Sequence, residues 1–245
     1  MKTTKGVADI VFCLDASYSM RPCFDAVKSH IDDFISGLKS DGQMSWDLRF
    51  DYIAHCSSDG LFLHKSLFCS EVHRVLYQGE SGGRFFTTDM DELKNGLSSE
   101  NVQGDESPLI ALDFCLDFPW RDASECHRVV VLLTDEPFET GTNQSFQKEK
   151  LGQLIEKIMA LKVILYIVGP KSEVFDELSA VDKSEYTPVD MSGDGLKSVN
   201  FSELLNYIGK SVSKSNLQQI TTQEVSRGLF GQERWHASTE AITGS

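Results

Sequence analysis

The chain has 245 residues, 40% of them hydrophobic and 24% charged, with a formal net charge of -14 and an isoelectric point near 4.8. This length accommodates one substantial α/β domain plus an appendage and is cramped for two full domains. The acidity excludes nucleic acid and anionic membrane surfaces as favoured partners, since both repel the chain, and leaves cations and basic surfaces.

At the amino end, MKTTKGVADIVFCLD carries an apolar segment interrupted by Asp9 and closed by Asp15, so it is expected to be neither a signal peptide nor a membrane anchor. Residues 8 to 14 read instead as a buried first strand. A helix is predicted over 23 to 39, with Phe24, Val27, Ile31, Phe34, Ile35 and Leu38 on one face. WDLRFDYIAHC, from Trp46, alternates apolar and polar side chains as a strand does, and GLFLHKSLF after Asp59 is expected to return beside it as an antiparallel edge. Helical patterns follow near 89 to 98 and 108 to 118. RVVVLLTD, from Arg128, is continuous and β-branched, the pattern of a central strand covered on both faces. A helix over 147 to 161 leads into KVILYIVG from Lys162, another central strand. A short helix at 172 to 180, a weak strand at 185 to 190 and a last helix over 200 to 213 complete the pattern.

This alternation indicates crossover units on a mostly parallel sheet, and no internal repeat interrupts it. Residues 1 to 213 are read as the domain. Residues 214 to 245, rich in Ser, Thr and Gln, are read as a tail, either flexible or docking a partner through GLFGQERW. Six cysteines (Cys13, Cys23, Cys56, Cys69, Cys115 and Cys126) with no export signal are expected to be reduced thiols of a cytoplasmic protein.

In an open doubly wound sheet with strand order 3-2-1-4-5-6, ligands bind beyond the carboxyl ends of the strands, between the first and the fourth. Asp15 closes the first strand and Asp135, in LLTD, closes the fourth, with Ser17 and Ser19 on the loop between them. Two carboxylates crowded in a partly dry crevice repel each other, and a divalent cation resolves that. Hard cations such as Mg2+ accept carboxylates and hydroxyls together, the set that Asp15, Ser17, Ser19 and Asp135 supply. Asp-x-Ser-x-Ser alone is a weak signal, because the serines equally suit a helix N-cap and a turn, and Asp135 a loop. Its place at two strand ends gives it weight.

DIVFCLDASYSM followed by an amphipathic helix, and later RVVVLLTDEP, resemble the von Willebrand factor A family with its metal-ion-dependent adhesion site. The resemblance covers residues 8 to about 213. It implies a Rossmann-like three-layer α/β/α fold with a six-stranded, mostly parallel sheet and an antiparallel edge strand. It also implies a Mg2+ ion, with Mn2+ or Ca2+ as substitutes, held by Asp15, Ser17 and Ser19, with Asp135 acting directly or through water. One coordination position is left for an Asp or Glu of a protein partner. The family's remaining ligand is usually a threonine. Here the corresponding stretch is GDESPLIALDFCLDFPW, which puts Glu106 at that place, with Asp105 beside it and Ser107 as the rival ligand.

DASYSM, the acidic residue at this loop and PWR before the next strand resemble the integrin β branch and bacterial intracellular relatives. The latter operate in multi-protein stress, defence or signalling systems. Arg21, Pro22 and Cys23 follow the serines where integrin β subunits carry further acids, so their additional ion sites are not carried over.

No nucleophile is paired with a base, and the expected function is a non-enzymatic binding module. The alternative is a metal-dependent phosphohydrolase of the haloacid dehalogenase kind, with Lys171 as its lysine. That chemistry needs an acid two residues after the nucleophile, where Ser17 stands. VGPKS around Lys171 lacks the upstream glycine of a phosphate-binding loop. His55, Cys56, His64, Cys69 and His73 are residue types that bind zinc, but their irregular spacing and strand alternation are expected to scatter them into packing and surface roles. A third carboxylate would hold a divalent ion more tightly at rest and weaken its pull on a partner's acid. Calorimetry of Glu106→Thr is therefore expected to show weaker Mg2+ binding than the unaltered chain; equal affinity means that Glu106 is not a ligand.

Overall fold

The computed structural model describes residues 4–39, 44–58, 61–79, 83–99, 107–140, 143–189 and 199–218. Six strands form one sheet: β1 (Thr4–Asp15), β2 (Met44–Ser58), β3 (Leu61–Ser66), β4 (His127–Leu133), β5 (Val163–Pro170) and β6 (Ser184–Val189). Their order is β3-β2-β1-β4-β5-β6, as expected from the alternation of elements. All neighbours pair in parallel except β3, which returns antiparallel along β2.

Each central strand is apolar at successive positions because both of its faces are covered. Ile10, Phe12 and Leu14 of β1 pack on one side, together with Val129, Val131 and Leu133 of β4. Val11 and Cys13 pack on the other with Val130 and Leu132. The first side is closed by α1 (Arg21–Leu38), by α3 (Met90–Ser99) through Leu93 and Leu97, and by α8 (Phe201–Gln218). The second is closed by α2 (Val72–Tyr77), α4 (Pro108–Leu116), α6 (Leu151–Leu161) and α7 (Glu173–Ser179). The result is three layers, helix, sheet and helix. Helix α4 is apolar almost all round, as a helix buried on most sides must be, and its Asp113 is matched by Lys157 of α6 at 2.7 Å.

Two departures from the sequence reading have local causes. Val72, Val75 and Leu76 form the short helix α2, which was not expected, and cover the second face beside α4. The helix expected over 147 to 161 is divided into α5 (Gln144–Lys148) and α6. The break follows Gln147, whose buried side chain turns inward so that Oε1 accepts the Leu109 N–H at the head of α4. The last helix continues to Gln218, and residues 219–245, including the docking segment read in the tail, lie outside the described residues.

Helices α1 and α8 approach closely because glycines face backbone at their contact. A Cβ on Gly37 would overlap the Asn206 carbonyl, and one on Gly209 would overlap the Phe34 carbonyl. At the edge of the sheet, β3 stops opposite Ile53, and Thr87 takes over by exchanging two 2.8 Å hydrogen bonds with Phe50. Asp51 secures this strap. Its buried carboxylate accepts N–H groups from Tyr52, Leu67 and Phe86, and burial pushes its carboxyl up to about 6 despite those donors.

Midway along β1, level with the start of β4, Asp9 is fully buried between two guanidiniums. Arg49 donates to it at 2.6 and 2.8 Å, and the Arg121 side chain at 2.7 Å. Burial disfavours the charge, but Arg49 and Arg121 outweigh it and hold the carboxyl below its ordinary value. A depressed folded value stabilises the fold above the unfolded value near pH 4 and loses that contribution as pH falls through the folded one. Arg121→Met should therefore lower stability by about 3 kcal/mol at pH 7, and the deficit should shrink below roughly pH 4, read by urea unfolding across pH. Gly209→Ala should lower stability by about 2 kcal/mol or more in the same assay, because the clash is with backbone that cannot step aside.

Candidate metal centre

Strand β1 ends at Asp15 in the middle of the sheet, flanked by β2 and β4, so its side chain emerges where the helices leave in opposite directions. The carboxylate is fully buried. Oδ1 accepts the Ser17 N–H at 2.7 Å, an Asx-type turn that folds the loop back over the strand end. Ser17 is buried and Ser19 exposed, and their hydroxyl oxygens stand 3.1 Å apart. The chain then passes through a 3-10 turn, Tyr18–Met20, into α1, whose first turn carries Pro22.

From the next strand, Thr134 Oγ1 lies 3.3 Å from Asp15 Oδ2 and 3.3 Å from the Glu136 carbonyl, so the hydroxyl joins the ends of β1 and β4. Asp135 follows, half-buried. Its charge and that of Asp15 meet at Cys23 of α1, where burial first and then both carboxylates push the thiol up. Asp15, Ser17, Ser19 and Asp135 are thus gathered at one end of the sheet. Glu106 and Asp105 lie outside the described residues.

Ser107 is buried at the head of α4, and its polar groups face two histidines. Its N–H donates to His55 Nδ1 and its Oγ meets His64 Nε2, both at 3.4 Å. His55 and His64 are direct partners in the β2-β3 ladder and so share a face. Cys56 packs into the opposite core and Cys69 into the second. The scattering expected for this group therefore holds for the cysteines and fails for this histidine pair, because the antiparallel register sets 55 against 64. Burial and then His64 lower the His55 pKa; burial and then His73 take His64 down to about 3. Both rings are neutral near pH 7.

The donor set suits a hard cation. Adjacent oxygen ligands of an octahedral Mg2+ at about 2.1 Å are about 3 Å apart, close to the 3.1 Å between Ser17 Oγ and Ser19 Oγ. Among the described residues, no three His, Cys, Asp or Glu side chains gather as a metal-holding group. Asp15 and Asp135 are two acids, and the rest of the set is hydroxyl. Lys171 is exposed beyond β5, and its charge acts on Asp176 of α7. All six cysteines are free and buried. No described helix is long and apolar enough to cross a membrane.

No protein-family model and no curated relative matches the chain. Among solved structures it is similar to the von Willebrand factor type A protein from Catenulispora acidiphila, with a TM-score of 0.56 at 13% identity, over 86% of this chain and 43% of that one. The fold is that of a von Willebrand factor A domain. The pilus adhesin SpaC from Lactobacillus rhamnosus GG, in its open conformation, aligns over 89% of this chain and 31% of its own length, with a TM-score of 0.51 at 14% identity. A mutant of the PilB minor pilin from Streptococcus sanguinis aligns over 89% and 63%, with a TM-score of 0.52 at 10% identity. The chain spans less than two thirds of each of them, and at these identities the likeness is one of fold.

Thr134, Cys23 and the His55–His64 pair around the site were not singled out by sequence reasoning as parts of it. Thr134 alone left a signal, since it directly precedes Asp135 at the same strand end.

Proposed function

We propose that this vWA domain is a non-enzymatic, divalent-metal-dependent protein-interaction module. Asp15, Ser17 and Ser19 would hold Mg2+, with Asp135 directly or through water and Glu106 or Ser107 completing the set. The observation that carries this reading is the pair of serine hydroxyls 3.1 Å apart beside a buried aspartate at the central strand end. Bound Mg2+ supplies a hard positive centre for one carboxylate oxygen of a partner's Asp or Glu.

The charge of the chain favours such a centre. At a net -14 the chain as a whole repels an acidic side chain, and a bound cation would invert that potential locally. The chain's own groups do the remainder. Ser17 N–H and Thr134 Oγ1 orient the Asp15 carboxylate, and the 3-10 turn sets the two hydroxyls side by side. SpaC is named as a pilus adhesin, which agrees with a binding role on this fold. Six free, buried thiols favour a reducing compartment, and we place the domain in the bacterial cytoplasm as part of a multi-protein assembly.

Titration with Mn2+ should show one site in the unaltered protein and an affinity at least about tenfold weaker in Asp15→Ala, because removing a ligand costs no less than disturbing a group that supports one. Absence of binding by the unaltered protein overturns the reading. Turnover of an aryl phosphate that is lost in Asp15→Ala overturns its non-enzymatic part.

A further inference from the structure

We propose that His55 is a positioning residue of the metal centre, fastening two segments that carry candidate ligands to one point of the sheet. The inference rests on the metal reading above and goes beyond it. His55 lies opposite Asp15 in the β1-β2 ladder, one strand away from the site. Its main-chain carbonyl accepts the Ala16 N–H at 2.7 Å, which holds the loop between Asp15 and Ser17. Its ring Nδ1 accepts the Ser107 N–H at the head of α4. One residue therefore joins the segment of Asp15 and Ser17 through its backbone and the segment of Ser107 through its side chain.

Ser107 is also met from a second side. His64 stands across the ladder, touches Ser107 Oγ with Nε2 and packs edge-on against Phe114 of α4 with ring centroids 4.7 Å apart. For Nδ1 to accept, the His55 proton must sit on Nε2, and that nitrogen is buried without a hydrogen-bond partner among the described residues. A buried, unmatched N–H is destabilising, so an apolar side chain of similar size would fill the space at least as well for folding alone. What it could not supply is an acceptor for Ser107. Groups that orient metal ligands from behind typically alter metal affinity about 10- to 100-fold when replaced.

The test compares Mn2+ affinity in the full chain for His55→Leu and His55→Asn, with folding checked by circular dichroism. Asn places Oδ1 near the position of Nδ1, whereas Leu fills the space without an acceptor. His55→Leu should bind at least about tenfold more weakly, and His55→Asn should remain within about threefold of the unaltered protein. Equal binding by all three proteins, or equal weakening of both variants, makes the ring a packing element and overturns the proposal. If the unaltered protein takes up no Mn2+, the metal reading itself fails and this role goes with it. If the Leu variant does not fold, nitrogen-15 NMR of the unaltered protein decides: the proposal expects His55 protonated on Nε2, and a proton on Nδ1 overturns it.

Discussion

Strand β1 is hydrogen-bonded along both edges and covered by apolar side chains on both faces, so its backbone cannot shift or turn without breaking two ladders and two cores. That restraint makes a buried carboxylate at its end tolerable. Asp15 is delivered to a fixed place, and the polar groups around it are delivered by chain segments anchored to the same strand or its neighbours: Ser17 by the turn, Thr134 by β4, His55 by β2. A ligand set assembled from remote parts of a sequence needs a shared datum, and β1 provides it.

The surroundings also bear on the protonation of the groups near the crevice. Cys23 stands between the charges of Asp15 and Asp135, and burial together with those charges keeps it a neutral thiol. A protonated sulfur is a slow nucleophile. His55 and His64 are likewise kept neutral, and the nitrogens they turn toward Ser107 are engaged in orienting it.

The elements that were legible in the sequence are those whose side chains answer to one simple environment. β1, β4 and β5 announce themselves because two-sided burial leaves an unbroken apolar run, and their order puts Asp15 and Asp135 at one end. α2 was missed because six residues hold too few apolar positions to establish a period. The α5-α6 break was missed because its determinant, Gln147, serves another helix, and nothing in the local sequence shows that it points inward. The His55–His64 pair depends on the register of a hairpin, which alternation within either strand does not disclose. The site was readable where it is built from strand ends and hidden where it is built from contacts between strands.

The ion-paired clamp on Asp9 gives the sheet an asymmetry with a mechanical meaning. Arg49 and Arg121 lock the middles of β1 and β2 to the turn before β4, whereas the carboxyl ends open into loops. Tension applied to a ligand at Asp15 would run lengthwise down β1 and load its flanking ladders in shear, many bonds sharing the pull at once, with the clamp as the far anchor. A domain strung in this way resists tugging along its grip better than peeling from its sides.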